Sequence, residues 1–327
     1  MNALLVIFFL SYALYAFFNN LKFWFIFIIL LALYYYLSQV KFFHNSKSNL
    51  NRKISVAAWS TPYDPHVYTT VKLDITKIIP YLEKKSAEIG EHLTPTIFAI
   101  KLVAIILIKY PEISGYIKFG RYEQKDGVDI CCLVNVGQGS ELANTTITHC
   151  EKKNFKIICN ELMNSVKKLR ERKNAFQNKK MNFYKLVPTF LMGPLTQIFA
   201  YLSAIGVKAE FLGVRKFEFG SCVITSIGGL GIEYSLVPIP PVSFSSLILT
   251  LCSKYDVNKK NDKGEIETKT FLTMNFTTDY RFFDFKTASE IFTNLHRIGS
   301  DPDLFEEECK KYESEKYNVE VNSNKKE

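Results

Sequence analysis

Two uncharged apolar runs open the chain, residues 3–18 (ALLVIFFLSYALYAFF) and 23–40 (FWFIFIILLALYYYLSQV), separated by Asn19-Asn20-Leu21-Lys22. As helices they reach about 24 Å and about 27 Å, slightly short of a hydrocarbon core of about 30 Å. Phe17, Phe18, Phe23 and Trp24 at the turn, and Tyr34, Tyr35 and Tyr36 at the far end, suit the interfacial belts. Met1-Asn2 offers no positive leader, no A-x-A site precedes the Asn pair, and no Arg occurs before Arg52. Those absences argue against a cleaved signal peptide and against a mitochondrial transit peptide. The pattern predicts a transmembrane helical hairpin as a membrane anchor over 1–41, with one longer tilted or re-entrant element as the alternative. Lys41, Lys47, Arg52 and Lys53 follow the second run against Lys22 alone in the turn, which places the rest of the chain on the cytoplasmic side. The expectation is an integral membrane protein of an endomembrane, with membrane lipids as partners.

Residues 42–53 are a polar linker, and the signals then alternate. Strand composition marks 67–74, 128–136, 217–226, 247–253 and 268–277. Helical spacing marks 75–89, 155–173 and 287–295. Thr94-Pro95 reads as a helix start, opening an almost wholly apolar helix over 96–110 that Pro111 ends. Strands alternating with helices imply an α/β (α+β) layered domain over 54–300. Residues 301–327 read as a charged tail, frayed from about Glu306. The uncharged stretch 186–206 is long enough to span a bilayer, but Pro188, Gly193 and Pro194 break it and Thr196 and Gln197 interrupt it. A broken helical segment covering the domain, or one lying on the membrane interface, fits it better.

Composition changes this picture little. The net charge of +9 arises almost wholly between Glu151 and Lys185, where eleven Lys or Arg face three Glu. One helix and its following loop make a solvated basic face, or one drawn to an anionic membrane surface, rather than the spread basic patch that nucleic acid requires; no nucleic-acid partner is expected. Seven cysteines (Cys131, Cys132, Cys150, Cys159, Cys222, Cys252, Cys309) cannot all pair, and none forms a C-x-x-C arrangement with partnering His. Buried free thiols in a reducing compartment are expected, and no metal site.

Two blocks carry a resemblance: Ile224-Thr225-Ser226-Ile227-Gly228-Gly229-Leu230-Gly231 and Thr278-Asp279-Tyr280-Arg281-Phe282-Phe283-Asp284-Phe285. With Arg52-Lys53-Ile54 and Trp59, the apolar helix at 94–113, the strand at 128–139 and the basic helix at 156–173, they resemble in order the catalytic domain of the 2-oxoacid dehydrogenase acyltransferases (the E2 components). The resemblance implies a two-layer sandwich like that of chloramphenicol acetyltransferase and a homotrimer with its active site between subunits. It further implies transfer of an acyl group from a thioester to a thiol or hydroxyl acceptor. Coenzyme A or acyl-CoA would then be a substrate, with no covalently bound cofactor; no cofactor-binding residues are assigned. Lipoyl and subunit-binding domains do not occur here, so the chain looks like a stand-alone relative with an anchor added.

The resemblance places three residues in the site. Thr225 holds the place of the family's hydroxyl donor to the tetrahedral intermediate. Tyr280 replaces the general-base His of the D-H-R-x-x-D-G motif. Asp284 keeps the motif's second Asp, which in the family steadies the turn by pairing with a basic residue; Arg281 is assigned the same steadying purpose. Phe285 replaces the final Gly. A phenol with a pKa near 10 is ionised in about one molecule in a thousand at neutrality, and losing a positioned base forfeits about 10²–10⁴-fold in rate. The remaining histidines, His44, His66, His92, His149 and His296, fall in the linker, near helix ends or beyond the motif. Two readings follow. One is a weakened or inactive membrane-tethered member that binds an acyl thioester as a binding or scaffold module. The other is a working acyltransferase acting on a membrane-associated acceptor through Tyr280, an altered base or an acceptor already ionised.

Overall fold

The computed structural model describes residues 65–118, 120–135, 142–169, 219–240, 243–260, 264–282 and 284–314, with isolated helical positions between 11 and 33 and at 198. Six strands form one mixed sheet: β1 (His66–Asp74), β4 (Ile130–Asn135), β5 (Leu142–Ile147), β6 (Cys222–Ser226), β7 (Leu247–Lys260) and β8 (Ile266–Asp279), in the order β1-β8-β7-β6-β4-β5. The central pairs β4/β6 and β6/β7 are parallel, and the other three are antiparallel. A separate hairpin joins β2 (Gly115–Lys118) to β3 (Arg121–Gln124).

Five helices accompany the sheet: α1 (Ile78–Ile89), α2 (Pro95–Lys109), α3 (155–169), α4 (Phe285–Gly299) and α5 (Pro302–Tyr312). Side chains from all five share one core with Leu249, Leu251, Ile224, Met274 and Phe276 of the sheet. They therefore lie on one face, which makes the two-layer α+β arrangement that the strand and helix alternation predicts. A small second cluster, Cys131, Val223, Ile248 and Ile239, lies on the other face. There the covering element is the crossover from β6 to β7, because parallel neighbours need a connection that passes over the sheet.

α2 is apolar on every side, and its residues Ile97–Leu107 are buried without a break, as a helix with no polar stripe must be. Its start follows the sequence signal: the Thr94 side chain accepts from the Ile97 N–H at 3.4 Å, with Pro95 in the first turn. Of its two charges, Lys109 closes the last turn and Lys101 is fully buried. Its Nζ lies 3.2 Å from the Glu151 carbonyl, 2.5 Å from the Lys153 carbonyl and 3.2 Å from Glu313 Oε1.

That ion pair belongs to a correction. Residues 302–312 are not a frayed tail but α5, capped by Asp301, whose carboxylate accepts from the N–H groups of Asp303 and Leu304. Phe305 is completely buried, with ring centroids of Phe98, Phe155 and Tyr81 at 5.0, 5.9 and 6.2 Å. Glu306, Glu307, Lys310 and Lys311 on the outer side of the helix dominate its composition and conceal the inward Phe305, Glu308 and Cys309.

Two strands are also longer than their composition suggests. β7 and β8 each run for 14 residues, since their polar outer halves pair with each other beyond the edge of the core. All seven cysteines are free and buried, and burial pushes the Cys309 thiol up to about 12. Among the described residues no helix is long and apolar enough to cross a membrane. Most of 1–41, the linker 42–53, the start of the domain at 54–64 and nearly all of 186–206 lie outside the described residues. Where the two N-terminal runs are described, the rings of Tyr12 and Phe27 lie 6.4 Å apart and stack.

Candidate active site

The turn that carries Tyr280 begins where β8 leaves the sheet. The Asp279 N–H donates to the Ser246 carbonyl at 3.0 Å, and the Tyr280 N–H donates to the Pro65 carbonyl at 2.9 Å, so the first two residues are pinned to β7 and β1. The Asp279 carboxylate is 4% exposed, and Arg281 neutralises it. Arg281 Nε lies 3.0 Å from both oxygens, Nη2 lies 2.6 Å from Oδ2, and the Arg281 N–H donates to Oδ1 at 2.9 Å. Phe282 then turns inward, 3% exposed, with its ring edge-on to Tyr122 at 5.8 Å.

Arg281 steadies the turn, through Asp279, whereas Asp284 has another part. Arg281 pairs with Asp279, and Asp284 caps α4 instead, its Oδ1 accepting from the Thr287 N–H at 2.8 Å. That backbone hydrogen bond holds the carboxyl below the usual carboxylate range. A folded-state pKa below the unfolded one stabilises above the ordinary carboxylate value of about 4, and the contribution is lost as pH falls through the depressed value. Asp284→Ala should therefore cost about 1 kcal/mol at pH 7, with the difference from the unaltered chain shrinking near pH 3. Thermal unfolding at the two pH values measures it; an equal loss at both would show that the charge contributes nothing.

Phe285 takes the first helical position of α4 with an ordinary negative φ, so the turn needs no glycine here. Its ring is 69% exposed and lies 5.8 Å from that of Tyr280. Two aromatic rings thus lie side by side at this turn.

Thr225 lies near the end of β6, 7% exposed, paired with Leu133 of β4 on one side and Thr250 of β7 on the other. The turn after it uses two glycines for different reasons. A Cβ on Gly228 would meet the Cys252 carbonyl oxygen at 2.7 Å, and Gly231 has φ +73°. The turn closes with the Gly231 N–H donating to the Gly228 carbonyl at 3.1 Å.

Thr225 and the Tyr280 turn stand at opposite ends of the sheet. Register pairs Thr225 with Thr250 and Thr250 with Asn275, and Tyr280 lies five residues past Asn275. With about 3.4 Å per residue along a strand and about 4.8 Å between strands, the two side chains start about 20 Å apart. A threonine and a tyrosine of one chain cannot reach a common atom over that distance. Tyr280 and Asp284 come together; Thr225 does not join them.

Among the histidines, His66 stands directly across β1/β8 from Asp279. The pleat gives it the face of Asp279, whereas Tyr280 falls opposite Pro65. His149 sits at φ +49° with its Nδ1 3.5 Å from the buried Glu151 carboxylate. His92 and His296 are exposed, and His44 lies outside the described residues. Sequence reasoning missed Asp279, the partner of Arg281, and the polar pair Thr250 and Asn275 beside Thr225. A signal for the last two existed: each interrupts an apolar run, LILTLC and LTMNF.

Residues 52–181 match the model of the family described as 2-oxoacid dehydrogenases acyltransferase (catalytic domain). The match covers the opening segment and every element from β1 to α3, and stops before both Thr225 and Tyr280. Among solved structures, the chain is similar to a probable dihydrolipoamide acetyltransferase from Listeria monocytogenes, at 16% identity over 84% of this chain and 98% of that one, with a TM-score of 0.52. It is also similar to the dihydrolipoamide acetyltransferase (E2p) of Azotobacter vinelandii, at 16% identity over 80% and 94%, TM-score 0.53. A third is a truncated catalytic core of the 2-oxoacid dehydrogenase multienzyme complex from Thermoplasma acidophilum, at 17% identity over 80% and 99%, TM-score 0.50. At these identities the likeness is one of fold: the chain has the architecture of E2 catalytic domains over nearly their whole length.

Proposed function

We propose that this chain is a membrane-tethered acyltransferase-fold protein that binds an acyl thioester, with coenzyme A or a lipoyl-type arm as the carrier, and turns it over weakly or not at all. The observation that carries this reading is the half-buried phenol of Tyr280, with the Phe285 ring beside it, in the turn that Arg281 and Asp279 hold. In the Azotobacter protein the residues studied for their catalytic role are a serine, a histidine and an asparagine, the last two four positions apart. Thr225, Tyr280 and Asp284 follow that set in order, and Tyr280 and Asp284 keep its four-residue spacing, while lacking the imidazole. What remains at the site can orient and donate hydrogen bonds; a phenol does not accept the acceptor's proton efficiently near pH 7.

The test uses the purified full-length chain in detergent with acetyl-CoA and a panel of dithiol and alcohol acceptors. Transfer is expected at background, unchanged by Tyr280→Phe, while calorimetry detects coenzyme A binding. Transfer above background that Tyr280→Phe abolishes establishes the second reading, an active acyltransferase for a membrane-associated acceptor. The hydroxyl of Thr225, kept at its place in β6, favours that alternative.

The separation of Thr225 from Tyr280 supports a homotrimer, in which one copy's Thr225 end meets another copy's Tyr280 turn. The segment after Thr225 offers apolar surface for such a contact, with Leu230 72% and Tyr234 58% exposed. A mass of one chain in detergent by light scattering would rule the trimer out. For the anchor, the Tyr12–Phe27 ring contact supports a hairpin over 1–41, with the domain on the cytoplasmic face of an endomembrane and lipids as its partners. Protease treatment of sealed membranes should digest the domain at 54–314; full protection would reverse the orientation.

A further inference from the structure

The sheet face turned away from the helices carries a row of polar side chains sealed from solvent. Thr225, Thr250 and Asn275 pair in register across β6, β7 and β8, and Thr277 follows Asn275 on the same face. Thr250 and Asn275 expose no surface, and Thr277 exposes 1%. Three of their atoms, Thr250 Oγ1, Asn275 Oδ1 and Thr277 Oγ1, have no hydrogen-bond partner among the described residues. The other end of the Asn275 amide is committed: its Nδ2 donates to the Ser235 carbonyl at 3.0 Å and lies 3.4 Å from Cys252 Sγ. The β6–β7 crossover closes over the row, tied down where the Ser253 N–H donates to the Ile232 carbonyl at 3.0 Å and where Asn275 holds Ser235.

A buried polar atom without a partner is strongly unfavourable, and native proteins rarely leave even one. Three on neighbouring positions call for a common occupant. Cβ atoms of residues paired across strands lie about 5 Å apart, and those two apart on one strand about 7 Å. A single buried water makes about 3 hydrogen bonds, so one or two waters are enough to serve all three atoms. The chemistry of the row narrows the choice further. Asn275 Oδ1 can only accept, which excludes an anion, and the two threonine hydroxyls need a neighbour that both gives and takes hydrogen bonds. We propose that ordered water, bound under the 232–240 crossover between Thr250, Asn275 and Thr277, is an integral part of this fold and extends inward from the Thr225 hydroxyl.

Thr→Val keeps the side-chain shape and removes the hydroxyl, so the sign of the stability change separates a wet row from a dry one. With water present, Thr250→Val and Thr277→Val each strip a hydrogen bond from it, and the Tm of the full-length chain in detergent should fall by about 2–4 °C. In a dry row the same substitutions remove an unpaired hydroxyl, and an unchanged or raised Tm overturns the proposal. A crystal structure of the full-length chain that resolves solvent gives the direct reading. Water within hydrogen-bonding distance of Asn275 Oδ1 and a threonine hydroxyl is expected; three orphan atoms with no density between them overturn it.

Discussion

Tyr280→His combined with Phe285→Gly should raise acyl transfer from acetyl-CoA to a dithiol acceptor by about 10²-fold or more over the unaltered chain. The first change restores a group that accepts a proton near neutrality, and the second opens the space that the Phe285 ring occupies 5.8 Å from residue 280. The surrounding turn keeps two holds that the substitutions leave in place. The Tyr280 N–H to Pro65 bond is a backbone bond, and the Arg281–Asp279 pair is one residue removed on either side. Adding Thr225→Ala to the double variant should take the gain away again if, as proposed, Thr225 supplies the hydroxyl for the tetrahedral intermediate. Initial rates of thiol release measure all three proteins. No gain in a folded double variant would mean that the missing base is not what limits this chain, and the account of weak turnover would have to be given up.

Lys101→Met should cost about 3 kcal/mol of stability, the largest loss of any single change considered. The substituted side chain fits an apolar helix, so packing is preserved and the effect isolates the charge. What is lost is the cation on which the carbonyls of Glu151 and Lys153 and the carboxylate of Glu313 converge. The two carbonyls are left buried, and α5 loses its tie to the turn before α3, where the Ser314 N–H also donates to the Lys152 carbonyl at 3.1 Å. Chemical denaturation of the two proteins measures the difference. A loss below about 1 kcal/mol would show that Lys101 is an expensive burial rather than a tie, as replaced buried ion pairs sometimes prove to be.

Much of this architecture is legible along the chain. The absence of any polar stripe over 97–107 requires a helix enclosed on every side, and Thr94-Pro95 fixes where it begins. β4 and β6 show as continuous apolar runs because they lie inside the sheet, and β1, at its edge, shows an apolar alternation toward the core near its end. What was illegible has a local cause in each case. β2, β3 and β5 are four to six residues long and mixed in character, too short for a period to show. The outer halves of β7 and β8 are polar and exist because each pairs with the other. α5 hides one essential aromatic, Phe305, among charges of which all but Glu308 lie on its outer side.

The site divides in the same way. Sequence alone determined which side chains occupy the chemical positions, a phenol at 280, a hydroxyl at 225 and a carboxylate at 284, and therefore that no imidazole stands in the motif. Identity and spacing are properties of the chain and need no folding to be known. Only the tertiary structure decided who partners whom: Arg281 neutralises Asp279 rather than Asp284, Asp284 caps α4, and Thr225 ends its strand at the far side of the sheet from Tyr280. Those outcomes follow from strand direction and register, since β6 runs antiparallel to β8 two strands away, and direction is set by pairing between segments that no local pattern of residues encodes.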